Sequence, residues 1–170
     1  WPEVVEDGGS FEENACKKAR ALADFSGYVT LADDSGLEVD ALGGAPGILS
    51  ARYSGEEADE IKNNEKLLRE LAGIPRQKRG ARFVCVIALC APMSSPGKDR
   101  VFRGECEGWI TSVTRGRKGF GYDPLFFYPP LGKTFAELDR EAKNQVSHRG
   151  KALIQLKNAL PSLICLGGNP

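Results

Sequence analysis

The 170-residue chain lacks several features that would place it in a special class of protein. It has no net charge, since 23 Lys and Arg balance 23 Asp and Glu, which excludes a strongly basic nucleic-acid binder and an acidic disordered tail. It has no apolar run near the ~18–20 residues of a membrane helix. Because 41% of its residues are hydrophobic, it can build the core of one domain.

Cysteine pairs and a secretion signal are also missing. The five cysteines are odd in number and form no CxxC motif, so neither a disulfide framework nor a zinc site is indicated. Cys85 and Cys90 lie five positions apart in an apolar run and would face opposite sides of a strand. The first residues show no basic segment followed by an apolar one, as a signal peptide requires. We therefore expect reduced thiols and a cytoplasmic protein.

Charge is strongly separated along the chain. Residues 1–75 hold 7 basic and 16 acidic side chains, whereas residues 76–170 hold 16 basic and 7 acidic ones. An acidic half followed by a basic half suggests two tasks, such as binding a metal and binding an anion.

Hydrophobic periodicity and capping signals predict an α/β fold with a central mixed sheet flanked by helices. A capping box at Ser10 begins a helix that runs to about Phe25, and Ser147 begins a last helix that Pro161 ends. The other predicted elements are a strand over 28–32, a helix over 56–71, and strands over 81–91 and 101–114.

Two adjacent carboxylates, Asp33 and Asp34, follow the predicted strand over 28–32. Open α/β sheets bind ligands at the carboxyl ends of their strands, and neighbours on an extended backbone point to opposite faces. One aspartate can therefore face a cleft and bind Mg²⁺ while the other braces the loop. Glu6 or Glu13 is a candidate second metal ligand. The alternative is an ordinary turn, because Asp, Ser and Gly are common turn residues.

Two glycine-rich loops are candidates for contact with a nucleotide. The loop over 115–123 (RGRKGFGYD) combines cations for phosphate with aromatic rings on which a base can stack. It is equally compatible with a basic surface loop whose aromatics point inward. The loop over 42–47 (LGGAPG) could offer backbone N–H groups to an anion, but it matches neither a Walker motif nor a dinucleotide fingerprint, which favours a structural loop.

The only histidine, His148, lies beside Arg149 at the predicted start of the last helix. Their donors, together with the free N–H groups of the helix and nearby Lys143, suit a carbonyl or phosphate acceptor. A lone histidine is more often plain surface or core. Taken together, carboxylates for a metal, cations for phosphate and aromatics for a base indicate a nucleotide phosphohydrolase.

Five segments also carry a resemblance to a known family, in the order of that family and over nearly the whole chain. They are residues 10–15 (SFEENA), 31–37 (LADDSGL), 41–47 with 50–53 (ALGGAPG, SARY), 119–124 (GFGYDP) and 147–150 (SHRG). Together they resemble the inosine triphosphate pyrophosphatase family, whose bacterial members are XTP/dITP diphosphatases.

The resemblance implies a Mg²⁺-dependent enzyme with an elongated α/β fold, usually a homodimer, that hydrolyses ITP, dITP and XTP to the monophosphate and pyrophosphate. It makes Asp34 the general base and, together with Glu6, a metal ligand. The family's first strand and its Thr/Ser-x-Asn-x-x-Lys phosphate turn would precede Trp1, so we expect residues 1–170 to form one N-terminally truncated domain. The residues that the resemblance assigns to the substrate are Ser35, Phe120, Gly121, Tyr122, Asp123, Lys143, His148 and Arg149.

Substrate selectivity is expected to depend on atom 6 of the purine. Donors such as His148 and Arg149 would favour the carbonyl of hypoxanthine or xanthine over the amino group of adenine. Two alternatives stay open: a truncated, inactive nucleotide- or RNA-binding module, and a pyrophosphatase for other modified nucleotides. Neither a membrane nor a stable nucleic-acid partner is expected.

Overall fold

A five-stranded sheet forms the centre of the fold in a computed structural model, which describes residues 2–94 and 99–164. The strands follow one another across the sheet in chain order, and all four neighbouring pairs are antiparallel. The predicted α/β class is confirmed; a sheet of mixed direction also needs a parallel pair, and the described strands contain none. The strands are β1 (Thr30–Val39), β2 (Gly80–Cys90), β3 (Arg100–Ile110), β4 (Phe126–Tyr128) and β5 (Lys133–Thr134).

Within the described residues, four α-helices accompany the sheet, and the first begins as its capping signal predicts. Ser10 Oγ accepts the N–H of Glu13 at 3.2 Å, and Gly27 ends the helix with a left-handed φ of 75°. Asp59 caps the second helix with its carboxylate. None of the described helices is long and apolar enough to cross a membrane. The helices are α1 (Phe11–Ser26), α2 (Glu60–Glu70), α3 (Arg140–Val146) and α4 (His148–Ile164).

Strand β2, the second in the sheet, is buried on both sides because α1 and α4 pack on opposite faces of it. Val84 and Cys90 lie in the apolar cluster with α1, whereas Cys85 packs with Ala152 of α4. The prediction that Cys85 and Cys90 face opposite sides is therefore confirmed. The four cysteines that the structure describes are free thiols, and Cys165 lies outside the described residues.

A third apolar cluster occupies the end of the sheet where β1 finishes and β2 begins. It contains residues of α2 and of the segment that leads into β4, so it fixes these two elements relative to the sheet. Aromatic rings fill its centre, with centroids 4.6 Å apart between Phe83 and Phe126 and 4.8 Å apart between Phe126 and Phe135. Its members include Leu37, Leu67, Leu71, Phe83, Phe126 and Phe135.

Strand β1 is longer than its hydrophobic run indicates. It continues to Val39 instead of ending at residue 32, so Asp33 and Asp34 lie within the strand and the prediction that they follow its carboxyl end is wrong. The strand continues because each of its residues pairs with β2, from Thr30 opposite Cys90 onward. Polar residues that are typical of turns can remain extended when a neighbouring strand supplies their hydrogen bonds.

Gly36 lies inside β1 and is approached by the protein's own loop. A Cβ at Gly36 would lie 2.5 Å from the carbonyl oxygen of Gly47 and 2.6 Å from Ser50 Oγ. Ser50 Oγ accepts the N–H of Leu37 at 2.8 Å and donates to the Gly47 carbonyl at 2.6 Å. The loop over 42–47 is thus fastened to the strand, which agrees with the structural interpretation of its glycines.

Three element boundaries also differ from the sequence predictions. α4 continues through Pro161 to its end at residue 164, so the proline does not end the helix as predicted. α2 begins at Glu60 rather than at residue 56, and Ile61, which was expected on its apolar stripe, is 72% exposed. β3 ends at Ile110 rather than at residue 114.

Candidate active site

The two aspartates of β1 point to opposite faces of the sheet, as the alternation of an extended strand requires. Asp34 is only 8% exposed and contacts α1, whereas Asp33 contacts the first turn of α4. Each aspartate has its own partners, so one strand carries two polar sites that lie back to back.

Asp34 belongs to a group of three charged residues, Glu6, Lys18 and Asp34, which we call the carboxylate cluster. Lys18 Nζ lies 2.8 Å from Asp34 Oδ1 and 3.2 Å from Glu6 Oε1. Asn14 Nδ2 lies 3.5 Å from Asp34 Oδ2. Arg52 donates to the backbone carbonyl of Glu6 at 3.0 Å, which ties this residue to the rest of the fold. The structure thus brings Glu6 and Asp34 to the same lysine.

Sequence reasoning did not single out Lys18 or Asn14. Both lie on α1, four positions apart, beside the apolar residues Ala15 and Ala19 that face the sheet. Residues at this spacing share one side of a helix, so they reach the strand together. A polar pair that borders an apolar stripe on the helix preceding Asp33 and Asp34 is the signal that could have found them.

Burial and charge oppose each other in the carboxylate cluster. Burial disfavours the charged form of Lys18, but hydrogen bonds and the charges of Asp34 and Glu6 outweigh it and raise the pKa of Lys18. Burial also raises the pKa of Asp34, although Lys18 acts in the other direction. Two carboxylates that share one cation fit Mg²⁺, which takes few carboxylates from a protein and completes its shell with water and substrate phosphate.

In the part of the chain that the structure describes, no third residue of metal-binding type completes this pair. Among the described residues there is no group of three or more His, Cys, Asp or Glu that could hold a metal ion. A cation held by Glu6 and Asp34 would therefore need oxygen ligands from elsewhere, and phosphate oxygens of a nucleotide are suitable ones.

Asp33 forms an ion pair with Arg149 on the other face of β1. The guanidinium Nη2 and Nε lie 2.7 Å and 3.2 Å from Asp33 Oδ2, and Ser35 Oγ donates to the same oxygen at 2.9 Å. Burial opposes the charge of Asp33, but the hydrogen bonds and charge of Arg149 outweigh it and lower the pKa of Asp33. Arg149 is thus fixed to β1 from the first turn of α4.

The loop over 119–123 is organised around the buried carboxylate of Asp123. This carboxylate accepts the N–H of Phe120 at 2.9 Å and pairs with Lys143, while burial raises its pKa. The ring of Phe120 is 57% exposed, with Lys143 Nζ 4.5 Å and the Arg149 guanidinium 6.0 Å from its centroid. An exposed ring beside two cations is a surface on which a base can stack.

His148 is a buried, neutral imidazole. Its ring lies nearly parallel to that of Phe83, at 14°, with the centroids 4.7 Å apart. Burial, helped by the charges of Arg149 and Lys143, lowers the pKa of His148 to about 3, so the ring is uncharged at neutral pH. Its Nδ1 has no hydrogen-bond partner among the described residues. Such an unpaired buried polar atom is uncommon in folded proteins.

Most residues that the resemblance assigns to the substrate line one cavity of about 200 Å³, which we call the base cavity. Tyr122 contributes its buried ring, while its hydroxyl donates to the Ser50 carbonyl at 2.9 Å. Pockets that enclose whole drug-sized ligands measure roughly 300–1,000 Å³, so this cavity suits part of a nucleotide, such as its base. The assigned residues that line it are Ser35, Phe120, Gly121, Tyr122, Asp123, His148 and Arg149.

The remaining assigned residues lie outside the base cavity. Lys143 lines an adjoining cleft that also contains Phe120, His148 and Arg149. Glu6 and Asp34 line neither space, because they lie on the α1 side of β1. A nucleotide whose base occupies the cavity would have to extend past Ser35 for its phosphates to approach the carboxylate cluster.

Comparisons with known proteins show which proteins this chain is similar to. The sequence profile of the Ham1 family matches residues 1–159. A dITP/XTP pyrophosphatase of Geobacter sulfurreducens is 58% identical over 160 residues, which cover 94% of this chain and 79% of that protein. A dITP/XTP pyrophosphatase of Shouchella clausii is 54% identical, with the same coverage of the two chains.

Solved structures show the same fold. The Ham1 protein of Staphylococcus aureus is 45% identical, with a TM-score of 0.89 over 95% of this chain and 81% of that one. A nucleoside-triphosphatase, dITP/XTP pyrophosphatase, of Mycobacterium abscessus is 47% identical, with a TM-score of 0.78 over 92% and 78% of the two chains.

Proposed function

Because the chain belongs to the Ham1 family, we propose that it hydrolyses deaminated purine nucleoside triphosphates, namely ITP, dITP and XTP, to the monophosphate and pyrophosphate. The observation that carries this proposal is its identity of 54–58% to two dITP/XTP pyrophosphatases over nearly its whole length. The geometry supports it, since the carboxylate cluster suits a triphosphate and the base cavity suits a purine. Such an enzyme removes damaged nucleotides from the pool.

The phosphate end of the reaction is assigned to the carboxylate cluster. Asp34 accepts a proton from a water molecule as the water attacks the α-phosphorus, and the bond to the bridging oxygen breaks to release pyrophosphate. Lys18, whose ammonium already lies between two carboxylates, would contribute positive charge to the phosphoryl oxygens. Charge placed in advance at this point needs no reorganisation during the reaction.

Glu6 and Asp34 are the residues that would hold Mg²⁺. The bound ion supplies neutralisation of the triphosphate charge and a lower pKa for water. The balance of charge supports this role, because two carboxylates around a single lysine leave room for further positive charge.

The purine end of the reaction is assigned to the base cavity. Phe120 offers its exposed ring for stacking, and Arg149 and Lys143 flank that ring. Donors in the cavity pair with the carbonyl at position 6 of hypoxanthine or xanthine, whereas adenine presents an amino group there. Guanine also has this carbonyl, so the donors separate ITP and XTP from ATP and not from GTP.

We also propose that the enzyme works as a homodimer in the cytoplasm. The family resemblance supports the dimer, and the free thiols of Cys16, Cys85, Cys90 and Cys106 are compatible with a reducing compartment. Light scattering of the purified chain tests the dimer: a molar mass near twice 18.4 kDa is expected, and the monomer mass at all concentrations contradicts it.

A pyrophosphate-release assay with and without Mg²⁺ tests the function. We expect release from ITP, dITP and XTP at a kcat/KM at least about 100-fold above that for ATP, since buried donors reject a base that leaves them unpaired. Binding of ITP without pyrophosphate release would support the inactive-module alternative. Faster turnover of another modified nucleotide than of ITP would support the second alternative.

A further inference from the structure

Two neighbouring asparagines of α2, Asn63 and Asn64, are buried, and Asn63 lines the base cavity. Asn63 is 4% exposed and Asn64 is 9% exposed, although both side chains are polar. Burial of an amide is unfavourable unless its hydrogen bonds are made, so the partners of these two side chains indicate what they do. The residues assigned to the substrate or to a metal include neither of them.

Asn63 is hydrogen-bonded to the first wall of the base cavity, which residues 50 and 51 form just after the loop over 42–47. Its Oδ1 accepts the N–H of Ser54 at 2.6 Å, and its Nδ2 donates to the carbonyl of Ala51 at 2.9 Å. Ala51 and Ser50 both line the base cavity. Through the hydrogen bonds of Asn63, α2 is therefore fixed to this wall of the base cavity.

Asn64 is hydrogen-bonded to a second wall of the base cavity, which is the loop over 119–123. Its Nδ2 donates to the carbonyl of Gly121 at 2.9 Å and to the carbonyl of Glu60 at 2.8 Å. Both partners are acceptors, so the orientation of the amide is determined: a reversed amide would place Oδ1 against two carbonyl oxygens. Its Oδ1 is buried and has no partner among the described residues, so the side chain keeps the bond to Gly121 despite an unpaired acceptor.

The two walls are also bonded to each other, which closes a ring of contacts around the cavity. Tyr122 donates its hydroxyl to the Ser50 carbonyl, and Gly121, its neighbour, is the carbonyl that Asn64 holds. Gly121 has a left-handed φ of 58°, a conformation that glycine adopts freely and leaves just as freely. The hydrogen bond from Asn64 to the Gly121 carbonyl therefore restricts the backbone at its most flexible position between Phe120 and Tyr122.

We propose that Asn64 is a positioning residue for the purine, acting through Gly121 on the ring of Phe120 and the carboxylate of Asp123. This proposal rests on the proposed function and names a further residue on which the base cavity depends. Without the bond from Asn64, the loop over 119–123 would sample other conformations, and part of the binding free energy of the purine would be lost in ordering it.

The test compares kinetics with ITP for Asn64→Leu, which keeps the size of the side chain and removes its donor. KM should rise about tenfold while kcat stays within about twofold, because one hydrogen bond of about 1.4 kcal/mol is lost far from the phosphate chemistry. Asn64→Ser, whose side chain is too short to reach Gly121, is the second variant and should behave alike. Ile61→Ala, on the exposed side of the same helix, is the control and should leave both constants unchanged.

Hydrogen exchange provides a readout that does not depend on turnover. Backbone amides of residues 119–125 should exchange faster in Asn64→Leu than in the wild type, with no change in Ile61→Ala. An unchanged KM, or a fall in kcat alone, would overturn the proposal even if the melting temperature drops, since a purely structural role predicts that pattern. If the wild type releases no pyrophosphate from ITP, the proposed function fails, and unchanged exchange in the loop would then still refute the role of Asn64.

Discussion

The two faces of β1 differ in chemistry although adjacent aspartates supply both of them. On the α1 face, Asp34 is buried with Glu6 and Lys18, and burial raises its pKa. On the α4 face, Asp33 is more exposed, and its pKa is lowered by the bound Arg149. The same side chain type therefore has opposite shifts at neighbouring positions, because alternation along a strand gives each residue a different environment.

This difference indicates how one strand can serve two parts of a nucleotide. The face with Asp34 carries acidic groups that can share a cation, which a triphosphate requires. The face with Asp33 fixes Arg149 beside Phe120, where a base can stack. The charge separation seen along the sequence corresponds to this division, since Glu6 and Asp34 come from the acidic half and Lys143 and Arg149 from the basic half.

The largest effect is expected from Asp34→Asn, which removes the proposed proton acceptor and keeps the size of the side chain. Loss of a general base lowers the rate about 10²–10⁴-fold, so kcat for ITP should fall by about 10³-fold. Pyrophosphate release and a thermal melt are the measurements, and the melt should show a folded protein. Wild-type turnover in this variant would remove Asp34 from the mechanism.

The next effect concerns the pH dependence of the free energy of unfolding, to which His148 contributes on the α4 side of the sheet. The pKa of His148 is about 3 in the fold and 6.5 when unperturbed, so below pH 6.5 the unfolded chain binds a proton that the folded chain does not. The contribution of His148 to the free energy of unfolding is fully present above pH 6.5 and is lost progressively as the pH falls toward 3. Between neutral pH and about pH 5 the loss should reach about 2 kcal/mol.

Urea unfolding of the wild type and of His148→Gln at both pH values measures this loss. The wild type should lose about 2 kcal/mol more than the variant on acidification, since glutamine does not titrate. Equal losses in the two proteins would mean that His148 titrates normally and is not a buried neutral ring.

A smaller effect is expected on base selectivity from Arg149→Ala. Removal of one donor from the base cavity should narrow the ITP-over-ATP ratio of kcat/KM by about tenfold, the value of a hydrogen bond to a charged group. Lys157→Ala, which removes another cation at an exposed position of the same helix, is a matched control. A ratio that stays the same in Arg149→Ala would exclude this residue from reading the base.

The smallest effect is expected from Asp33→Asn, which weakens the anchor of Arg149 and leaves the guanidinium in place. KM for ITP should rise about fivefold, with kcat nearly unchanged, because an exposed ion pair contributes about 1 kcal/mol or less. Steady-state kinetics with ITP, measured for Asp33→Asn and Asp34→Asn side by side, compare KM and kcat of the two variants. A fall in kcat similar to that of Asp34→Asn would mean that the two faces are not separate.

Sequence patterns were sufficient for the parts of the fold that depend on local signals. The N-cap at Ser10, the stop at Gly27 and the alternation along β2 all lie where they were predicted. The opposite orientations of Asp33 and Asp34 also follow from period two alone. These signals depend on residues that are near in the sequence, so tertiary packing does not change what they predict.

Other parts depend on partners that the sequence does not identify. The residues from Asp33 to Gly36 read as a turn, and they are extended because β2 pairs with them and because the 47–50 segment packs on Gly36. Lys18 and Asn14 could be placed on one side of α1, but their approach to Asp34 depends on how that helix packs. The bond from Asn64 to Gly121 joins residues 57 positions apart, and no local pattern indicates it.

Binding of inosine, which has the base and ribose but no phosphate, tests the division between the two faces most directly. Calorimetric titration of inosine into Asp34→Asn and Arg149→Ala compares the faces without any turnover. The account predicts a Kd within about twofold of wild type for Asp34→Asn and a Kd raised about tenfold for Arg149→Ala. Equal weakening in both variants, or the reverse order, would contradict it.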